Sequence, residues 1–564
     1  GEPIIGASIV EKGNTTNGTI TDLDGNFSLK VPANATVVIS YIGMKTQEIA
    51  IKGKSKIDVT LSDDAKALDE VVVIGYGTAK RKDITGSVAS VNSETLAAIP
   101  VASATEALQG KMAGVQITTT EGSPDAQMSI RVRGGGSITQ SNEPLFIVDG
   151  FPVESISDIP PTDIESIDVL KDASSTAIYG ARGANGVIIV TTKSGKEGKV
   201  SVSYNAYYAW KKVAKTLDVL SASDYTKWQY ELAQLTNKND DYIKYFGNYQ
   251  DLDMYDNVAT NDWQDLTFGR TGHSFNHNLS INGGSDKFKY SFSYSHIDDK
   301  AIMQMSDYAR DNLNLKLNHK PLKNVSLDFS ARFSKTKING GGSNDANSSL
   351  NTDKRLKYSL LYTPYPVPGI SDALNADEED ANSLLINPLI SLRDNDTRKE
   401  RINYNLAGSI TWEIIKDLKL KAEVGYDDYR NNADRYYGVT TYYVRNNVDD
   451  EDKSKPAISF TRGTRTAFRS TNTLSYDFKK FFKNNKNHLN LLAGQEYIVT
   501  RERELRNVVH GFPTEYTADD CINYSTKGNP YEVTNYGYPD DVLFSFFGRA
   551  NYDFDSKYLF SATF

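Results

Sequence analysis

Beyond about residue 199 the chain is a succession of segments, each about nine to fourteen residues long, in which apolar and polar side chains alternate. Val200, Val202, Tyr204, Ala206, Tyr208 and Trp210 fall on one face of the first, with Ser201, Ser203 and Asn205 opposite. Period two is the strand repeat. At this length it suits a tilted strand crossing a bilayer, one face toward hydrocarbon and one toward a hydrated lumen. No run is apolar enough for a membrane helix. Phe288, Tyr290, Phe292 and Tyr294 alternate with Lys289, Ser291, Ser293 and Ser295, and Leu418, Leu420, Ala422 and Val424 with Lys419, Lys421 and Glu423. A Lys facing lipid at the midplane costs about 2–4 kcal/mol, so the charged members belong to the lumen. In Phe275, His277, Leu279 and Ile281 the histidine is an imperfect lipid-side residue.

The candidate spans are 199–212, 271–283, 286–298, 308–320, 322–336, 402–415, 416–428, 466–479, 487–501, 541–553 and 556 onward. Gly283–Asp286 and Pro321–Asn324 are hairpins, whereas 338–400, 430–465 and 503–540 are long polar connections. Short turns at one rim and long loops at the other are how such barrels distribute their joins. Residues 213–270 break the pattern. Ser221 to Leu235 has helical spacing, with Tyr225, Trp228 and Leu232 placed to cover a partner surface and Ser223 or Asp224 as cap. It reads as an insert on the barrel rim, with a helix on a soluble core as the alternative.

Composition agrees once a polar lumen face is allowed for. Hydrophobic residues are 39% of 564, and the 34 Tyr and 22 Phe suit girdles at two headgroup levels. A net charge of -9 disfavours a general nucleic-acid binder. One cysteine, Cys521, excludes an internal disulfide and a cysteine-clustered metal site. The six His are scattered, and no nucleophile–base or paired-carboxylate spacing marks an enzyme. The start at Gly1 lacks a charged, apolar leader, which suggests a processed or trimmed form. The last span stops at Phe564, and an edge left open in lipid is costly, so the chain is expected to be part of a larger barrel.

In front of the spans lie three stretches. Residues 1–63 read as a small β-sandwich, with strands at Ile4–Val10, Gly18–Thr21, Phe27–Val31, Thr36–Tyr41, Gln47–Ile51 and Ile57–Leu61. Asp24–Gly25 is a hairpin signal. Asp22 and Asp24 serve the turn rather than calcium, because the other ligand positions of a calcium loop are missing. Residues 64–79 link onward and contain Leu68, Asp69, Glu70, Val71, Val72 and Val73, a β-prone run before Gly75 and Gly77. It suits capture by another protein's sheet edge, with an edge strand of a neighbouring domain as the alternative. Residues 80–195 are mixed α/β. They comprise a helix at Ser103–Leu108, a strand Ser129–Gly134 carrying Arg131 and Arg133 on one face, and a strand–turn unit Pro144–Gly150. Ile164–Leu170 follows as a strand, then a helix near Ser174–Tyr179, a turn Gly180–Gly186 and a strand Val187–Thr192. The glycines of Gly180–Gly186 and of Arg133–Gly136 are turn residues, since neither a surrounding βαβ unit nor a Lys-Ser/Thr partner is present.

Leu68–Gly77, Leu108–Val115, Ile130–Gly134, Pro144–Gly150 and Ile167–Ile188 together resemble one family closely: the SusC-like (SusC/RagA) TonB-dependent transporters of Bacteroidota outer membranes. The resemblance implies a transmembrane antiparallel β-barrel of 22 strands, about half of it here. It also implies an internal α/β plug and an N-terminal carboxypeptidase-regulatory-like β-sandwich. Leu68 to Val73 take the place of the TonB box. Arg131, Arg133, Asp149, Gly150, Tyr179 and Arg182 become structural residues of the plug, the charged ones in contacts within it or to its wall. The implied function is import of a glycan or oligopeptide, energised by TonB–ExbB–ExbD, with a SusD-like lipoprotein as lid and a two-plus-two assembly in the outer-membrane lipid. Siderophore or cobalamin uptake and a non-transporting surface adhesin are the alternatives. No cofactor is implied. The acidic stretches Asp377–Asp380 and Asp449–Asp452 read as solvated loop ahead of a Ca2+ site, while Tyr362, Tyr365, Tyr436, Tyr437, Tyr442 and Tyr443 are candidate ligand or lid contacts.

Overall fold

The computed structural model describes residues 4, 7–12, 14–22, 24–41, 44, 46–61, 71–74, 77–80, 88–97, 101–119, 128–139, 141–340, 355–368, 386–446, 451–478, 482, 486–555 and 557–564. The chain forms two compact units, Gly1–Ser87 and Val88–Phe564. In the first, strands β1 (Ser8–Glu11), β2 (Asn14–Ile20), β3 (Thr36–Ser40) and β4 (Gln47–Ala50) form an antiparallel sheet in the order β2-β1-β3-β4. The expected strands at 27–31 and 57–61 join no ladder. Phe27, Leu29, Val31, Ile57, Val59 and Leu61 instead turn alternately onto a core of Ile9, Val37, Ile39 and Ile51, which supplies the second layer of the sandwich. The Asp22 carboxylate accepts from the backbone of Asp24 (3.0 Å) and Asn26 (2.8 Å), so it closes a turn. Further on, β5 (Val71–Ile74) and β6 (Gly77–Lys80) pair as a hairpin with Val72 opposite Ala79. Leu68, Asp69 and Glu70 lie outside the described residues.

The second unit starts with the α/β stretch. Its five-stranded sheet comprises β7 (Val88–Asn92), β10 (Leu145–Val148), β11 (Phe151–Val153), β12 (Ile164–Leu170) and β13 (Val187–Thr192), in the order β11-β10-β13-β12-β7. Only β10 and β13 run parallel. A separate hairpin joins β8 (Val115–Thr119) to β9 (Met128–Val132). The apolar face packs around Leu96, Leu108, Ile130, Ile164, Ile167 and Val190. Ser103 caps Ala104–Leu108, and Asp172 caps Ala173–Thr176, each through its side-chain oxygen. At Gly186 φ is +91°, and a Cβ there would meet Val132 at 3.0 Å, which explains the glycine as a close approach.

The rest is a wall. Strands β14 (Gly198–Lys211), β15 (Gly272–Gly284), β16 (Phe288–Lys300), β17 (Asp307–Leu322), β18 (Val325–Asn339) and β19 (Thr397–Ile415) are followed by β20 (Leu418–Tyr437), β21 (Ala457–Asp477), β22 (Asn487–His510), β23 (Asn529–Gly537), β24 (Asp541–Phe554) and β25 (Tyr558–Thr563). Each pairs antiparallel with its successor, except that β22 holds both β23 and β24; β14 and β25 lie at the two ends of the sheet. Turns 285–287, 323–324 and 416–417 lie at one rim with the strand ends Asp477, Asn487, Phe554 and Tyr558, and the opposite strand ends lead into the longer connections.

Several strands run past their expected limits. β20 reaches Tyr437, β21 begins at Ala457 and β22 ends at His510, so nearly half of 430–465 and of 503–540 is strand, with β23 unforeseen inside the second. At ~3.4 Å per residue, the 24 residues of β22 extend roughly 80 Å, far beyond a hydrocarbon core of ~30 Å. Outside lipid neither face needs to be apolar, so the alternation that marks a span disappears while the ladder continues.

The outward face records the boundary. Leu327 and Phe329 on β18, Tyr404, Leu406, Ile410 and Trp412 on β19, and Leu420, Val424 and Tyr426 on β20 are all exposed. Toward the long-loop rim the same face turns ionic, with Lys335–Glu400 at 3.0 Å, Arg430–Asp428 at 2.9 Å and Arg462–Asp434 at 2.6 Å. His277 is accommodated by a partner on the next strand: the Tyr204 hydroxyl meets its Nδ1 at 2.5 Å, as Tyr208 meets His273 at 2.8 Å. The 213–270 insert packs Ala222, Tyr225, Ala233, Tyr242 and Phe246 into a small core that Tyr365 and Val367 complete. Its first helix, Ala222–Thr236, is capped by Ser221 instead of Ser223 or Asp224. Ser221 keeps an extended backbone and accepts from Asp224 N, while the other two already lie inside the helix.

Leu406→Arg is expected to lower the unfolding free energy in vesicles by about 2–4 kcal/mol, and lumen-side Ser409→Arg, beside Asp328, by less than about 1 kcal/mol. Denaturant titration of the full-length protein checks this, and equal costs would reverse the assignment of faces.

Candidate functional site

The site is the contact between the α/β plug and the inner face of the wall. The β10–β11 hairpin turns on Asp149 and Gly150, both at positive φ (51° and 84°), which an Asp-Gly pair adopts readily. This turn is held from two sides. Asp149 Oδ1 accepts from Thr192 N at 2.9 Å and from Lys316 Nζ of β17 at 2.7 Å, and Lys316 also donates to Thr192 O at 2.9 Å. From β21, Arg469 donates to Gly150 O and pairs with Glu423 (3.0 Å) and Glu496 (2.8 Å). Beneath the turn, Phe151 lies so close to β20 that a Cβ on Gly425 would be 2.6 Å from its ring. Burial alone would push the Asp149 carboxyl up. The Lys316 and Arg332 charges, with hydrogen bonds from Lys316 and Thr192, outweigh it and hold the group below the usual carboxylate range.

A second set of contacts grips plug residues 102 and 154–163. Arg310 of β17, almost fully buried, donates to Ser157 O at 2.8 Å and Ala102 O at 2.5 Å, and Asn312 donates to Asp158 O at 2.8 Å. Arg401 of β19 pairs with Asp158 at 3.3 Å, and Arg465 of β21 with Glu154 at 2.8 Å. Asp163 is buried beside Ser293 and Asn278 of the wall, and burial raises its carboxyl above the ordinary value. Between plug and wall lies a cavity of about 1030 Å³, bordered by Arg131, Asn314, Arg332, Asn405 and Asp427 among others. Its chemistry is polar and of both signs, suited to binding and passage. Among the described residues no cluster of three or more His, Cys, Asp or Glu could hold a metal ion.

The remaining sequence candidates fall as follows. Arg131 borders the cavity from β9, and Arg133, just past that strand at φ 58°, is exposed. The Tyr179 hydroxyl sits among the charges of Arg469, Glu496, Arg549 and Arg182, and burial raises it above its ordinary value. Tyr362 packs edge-on against Trp263, Tyr365 gives its hydroxyl to Thr226, and Tyr436 joins a core with Ile458, Phe512 and Cys521. Tyr437 stacks on Tyr443 with centroids 4.3 Å apart, and Tyr443 meets His510 Nε2 at 3.1 Å. Burial pushes the Tyr443 hydroxyl up to about 12. Tyr442 opens the short helix Tyr442–Asn446. Asp377–Asp380, Asp449 and Asp450 lie outside the described residues, and Asp452 binds Asn529 and Lys455. The wall cations Arg310, Lys316, Arg401, Arg465 and Arg469 were not singled out from sequence. The signal for them is parity, since all occupy inward positions of their strands.

A charged plug seated against a tall antiparallel wall defines the TonB-dependent outer-membrane receptors as a class. Residues 80–187 match the family described as TonB-dependent Receptor Plug Domain, and residues 1–73 the CarboxypepD_reg-like domain. The chain is 32% identical over 600 residues to "TonB-dependent receptor SusC" of Bacteroides thetaiotaomicron, covering 100% of this chain and 55% of that protein. It is 32% identical over 574 residues to "TonB-dependent receptor P3" of Formosa agariphila, covering 99% and 52%. The structure resembles that of the RagAB peptide importer in the open-open state, with TM-score 0.66 and 27% identity over 86% of this chain and 55% of that one. The ferric citrate transporter FecA, at TM-score 0.50 and 12% identity over 84% and 54%, shares the fold alone. The chain spans about half the length of the relatives it matches. It belongs to the SusC/RagA-type TonB-dependent outer-membrane transporters.

Because the Asp149 carboxyl is held below its ordinary value, its contribution to seating is complete above the ordinary carboxylate range and is lost as pH falls through the depressed value. Lys316→Met removes the closest of the charges that hold the buried Asp149 carboxylate down, at a cost of about 3–5 kcal/mol, and drives its pKa upward. Native protein should therefore lose amide protection along β10 and β13 on acidification to about pH 3, while the variant gains it. Hydrogen exchange of the full-length protein, corrected for intrinsic rates, reads this directly. The same direction of change in both would refute it.

Proposed function

We propose that the complete protein imports an oligomeric nutrient, a glycan or an oligopeptide, across the outer membrane. The observation that carries this reading is the seating of the plug. It is held by a few polar, breakable contacts beside a polar cavity, as a stopper that must be moved requires. A SusD-like lipoprotein covers the long-loop rim, and two such pairs form the assembly, by likeness to the family. TonB–ExbB–ExbD supplies the force through Leu68, Asp69, Glu70, Val71, Val72 and Val73. Support for this role comes from β5 itself: Val71–Ile74 is a strand in a two-stranded ladder, to which an incoming strand can add by β-augmentation. The domain limits consistent with these roles are 1–63, 64–79, 80–195 and 196–564. The buried rim tyrosines stiffen the loops that meet substrate and lid.

Deleting Asp69–Val73 should abolish uptake while the ligand Kd stays within about twofold of the parent value. Uptake of labelled oligomer by cells, set beside equilibrium binding to the purified protein, checks both halves. Undiminished uptake in the deletion would end the assignment of this strand to TonB.

A further inference from the structure

We propose that Tyr531 is a platform for a sugar ring on the lumen side of the long-loop rim, with Arg506 and Glu532 reaching the hydroxyls at that ring's edge. The inference rests on the transport reading. It narrows the cargo to a glycan and gives that glycan one point of contact.

A break in register builds the platform. β22 and β23 pair one to one from Arg503 opposite Gly537 to Val508 opposite Glu532; Val509 then faces Pro530, which leaves Tyr531 as an extra residue. Proline cannot donate to a ladder, and a bulge re-aims the side chain it carries. Unbroken register would set Tyr531 opposite Val509, whose side chain packs outward with Ile458 and Phe512. Its ring stacks instead on His510, with 4.0 Å between centroids and 20° between planes. His510 shares the face of β22 that carries Glu496, the partner of Arg469 inside the lumen.

The backing of this ring is fixed. His510 is 1% exposed, the Tyr443 hydroxyl meets its Nε2, Tyr443 stacks on Tyr437, and the Arg435 guanidinium lies 4.6 Å over the Tyr437 ring. Tyr437 and Tyr443 thus serve as support. Tyr531, at the open end, is 48% exposed, as suits a ring with one face covered and the other bare. A pre-set aromatic face loses little entropy on binding.

The edge of the platform is polar. The charges of Arg506 and Glu532 both act on the Tyr443 hydroxyl, so both lie beside the stack. Thr534, opposite Arg506, donates to Glu532 Oε1 at 2.5 Å. An apolar face is therefore bordered by a group that only donates and a group that only accepts. A pyranose is the complement, with C–H groups across its face and hydroxyls, each both donor and acceptor, around its edge. A peptide unit carries its N–H and C=O in its own plane and offers no such C–H face.

The test uses the full-length transporter with neutral hexasaccharides of glucose, mannose, galactose and xylose, and hexapeptides of mixed sequence beside them. At least one hexasaccharide should bind. Tyr531→Phe should keep its Kd within about twofold, and Tyr531→Leu, apolar but without a flat face, should weaken it about tenfold. Equal Kd in the two variants, or no hexasaccharide bound, would overturn the platform. A second measurement needs no variant: bound saccharide should shield Tyr531 from hydroxyl-radical oxidation and leave Tyr249 of the insert, 51% exposed, as reactive as before. Undiminished oxidation of Tyr531 would count against the platform equally. Uptake of hexapeptides alone would defeat the platform and spare the transport reading. Saccharide held at Tyr531 yet never taken up by cells would defeat the transport reading instead.

Discussion

A backbone that crosses hydrocarbon must satisfy every N–H and C=O within the protein, because nothing in lipid will accept or donate. Here the cross-strand ladder meets that demand for the strands between β14 and β25, and the other features are consequences of it. Alternate side chains are forced to opposite faces, so one face can be oily and the other polar. A barrel closed from walls of this breadth holds more space than its own side chains can fill, and the plug lies against the wall's inner face. The polar inner face then becomes the surface on which the plug is seated.

Seating is uneven in kind as well as place. The wall reaches the plug largely through main-chain oxygens, at Ala102, Gly150, Ser157, Asp158 and Thr192, and through four carboxylates, Asp149, Glu154, Asp158 and Asp163. Carbonyl capture needs a plug backbone in one position and tolerates substitution of the plug side chains. Carboxylate contacts grade from the enclosed Asp149–Lys316 pair to the open Glu154–Arg465 pair.

How far this was legible depended on whether burial left a local mark. The alternation from Leu418 to Val424 identified β20 and its faces without a structure, and Asp149-Gly150 announced its hairpin. Ends were misjudged where lipid stops imposing a pattern, as at Arg430–Tyr437 and Asn529–Gly537, which are held as strand by their ladders to β21 and β22. Rim tyrosines offered no local cue to their surroundings. Tyr365 is buried by residues of a connection more than a hundred positions earlier, so its packing against Tyr225 and Thr226 was invisible. His277 looked misplaced on the lipid side because its partner, Tyr204, sits on a different strand.

The amino-acid order by itself determined that the chain spans lipid by strands, which side of each strand faces oil, and where the plug's turns and helix caps fall. Those properties depend on neighbours one to four residues apart, through pleat geometry, backbone sterics and short-range capping. Only the tertiary structure decided which inward cations meet which plug oxygens. Arg469 and Gly150, or Lys316 and Asp149, are brought together by register across several strands and by the depth at which the plug settles, quantities that accumulate over the entire sheet.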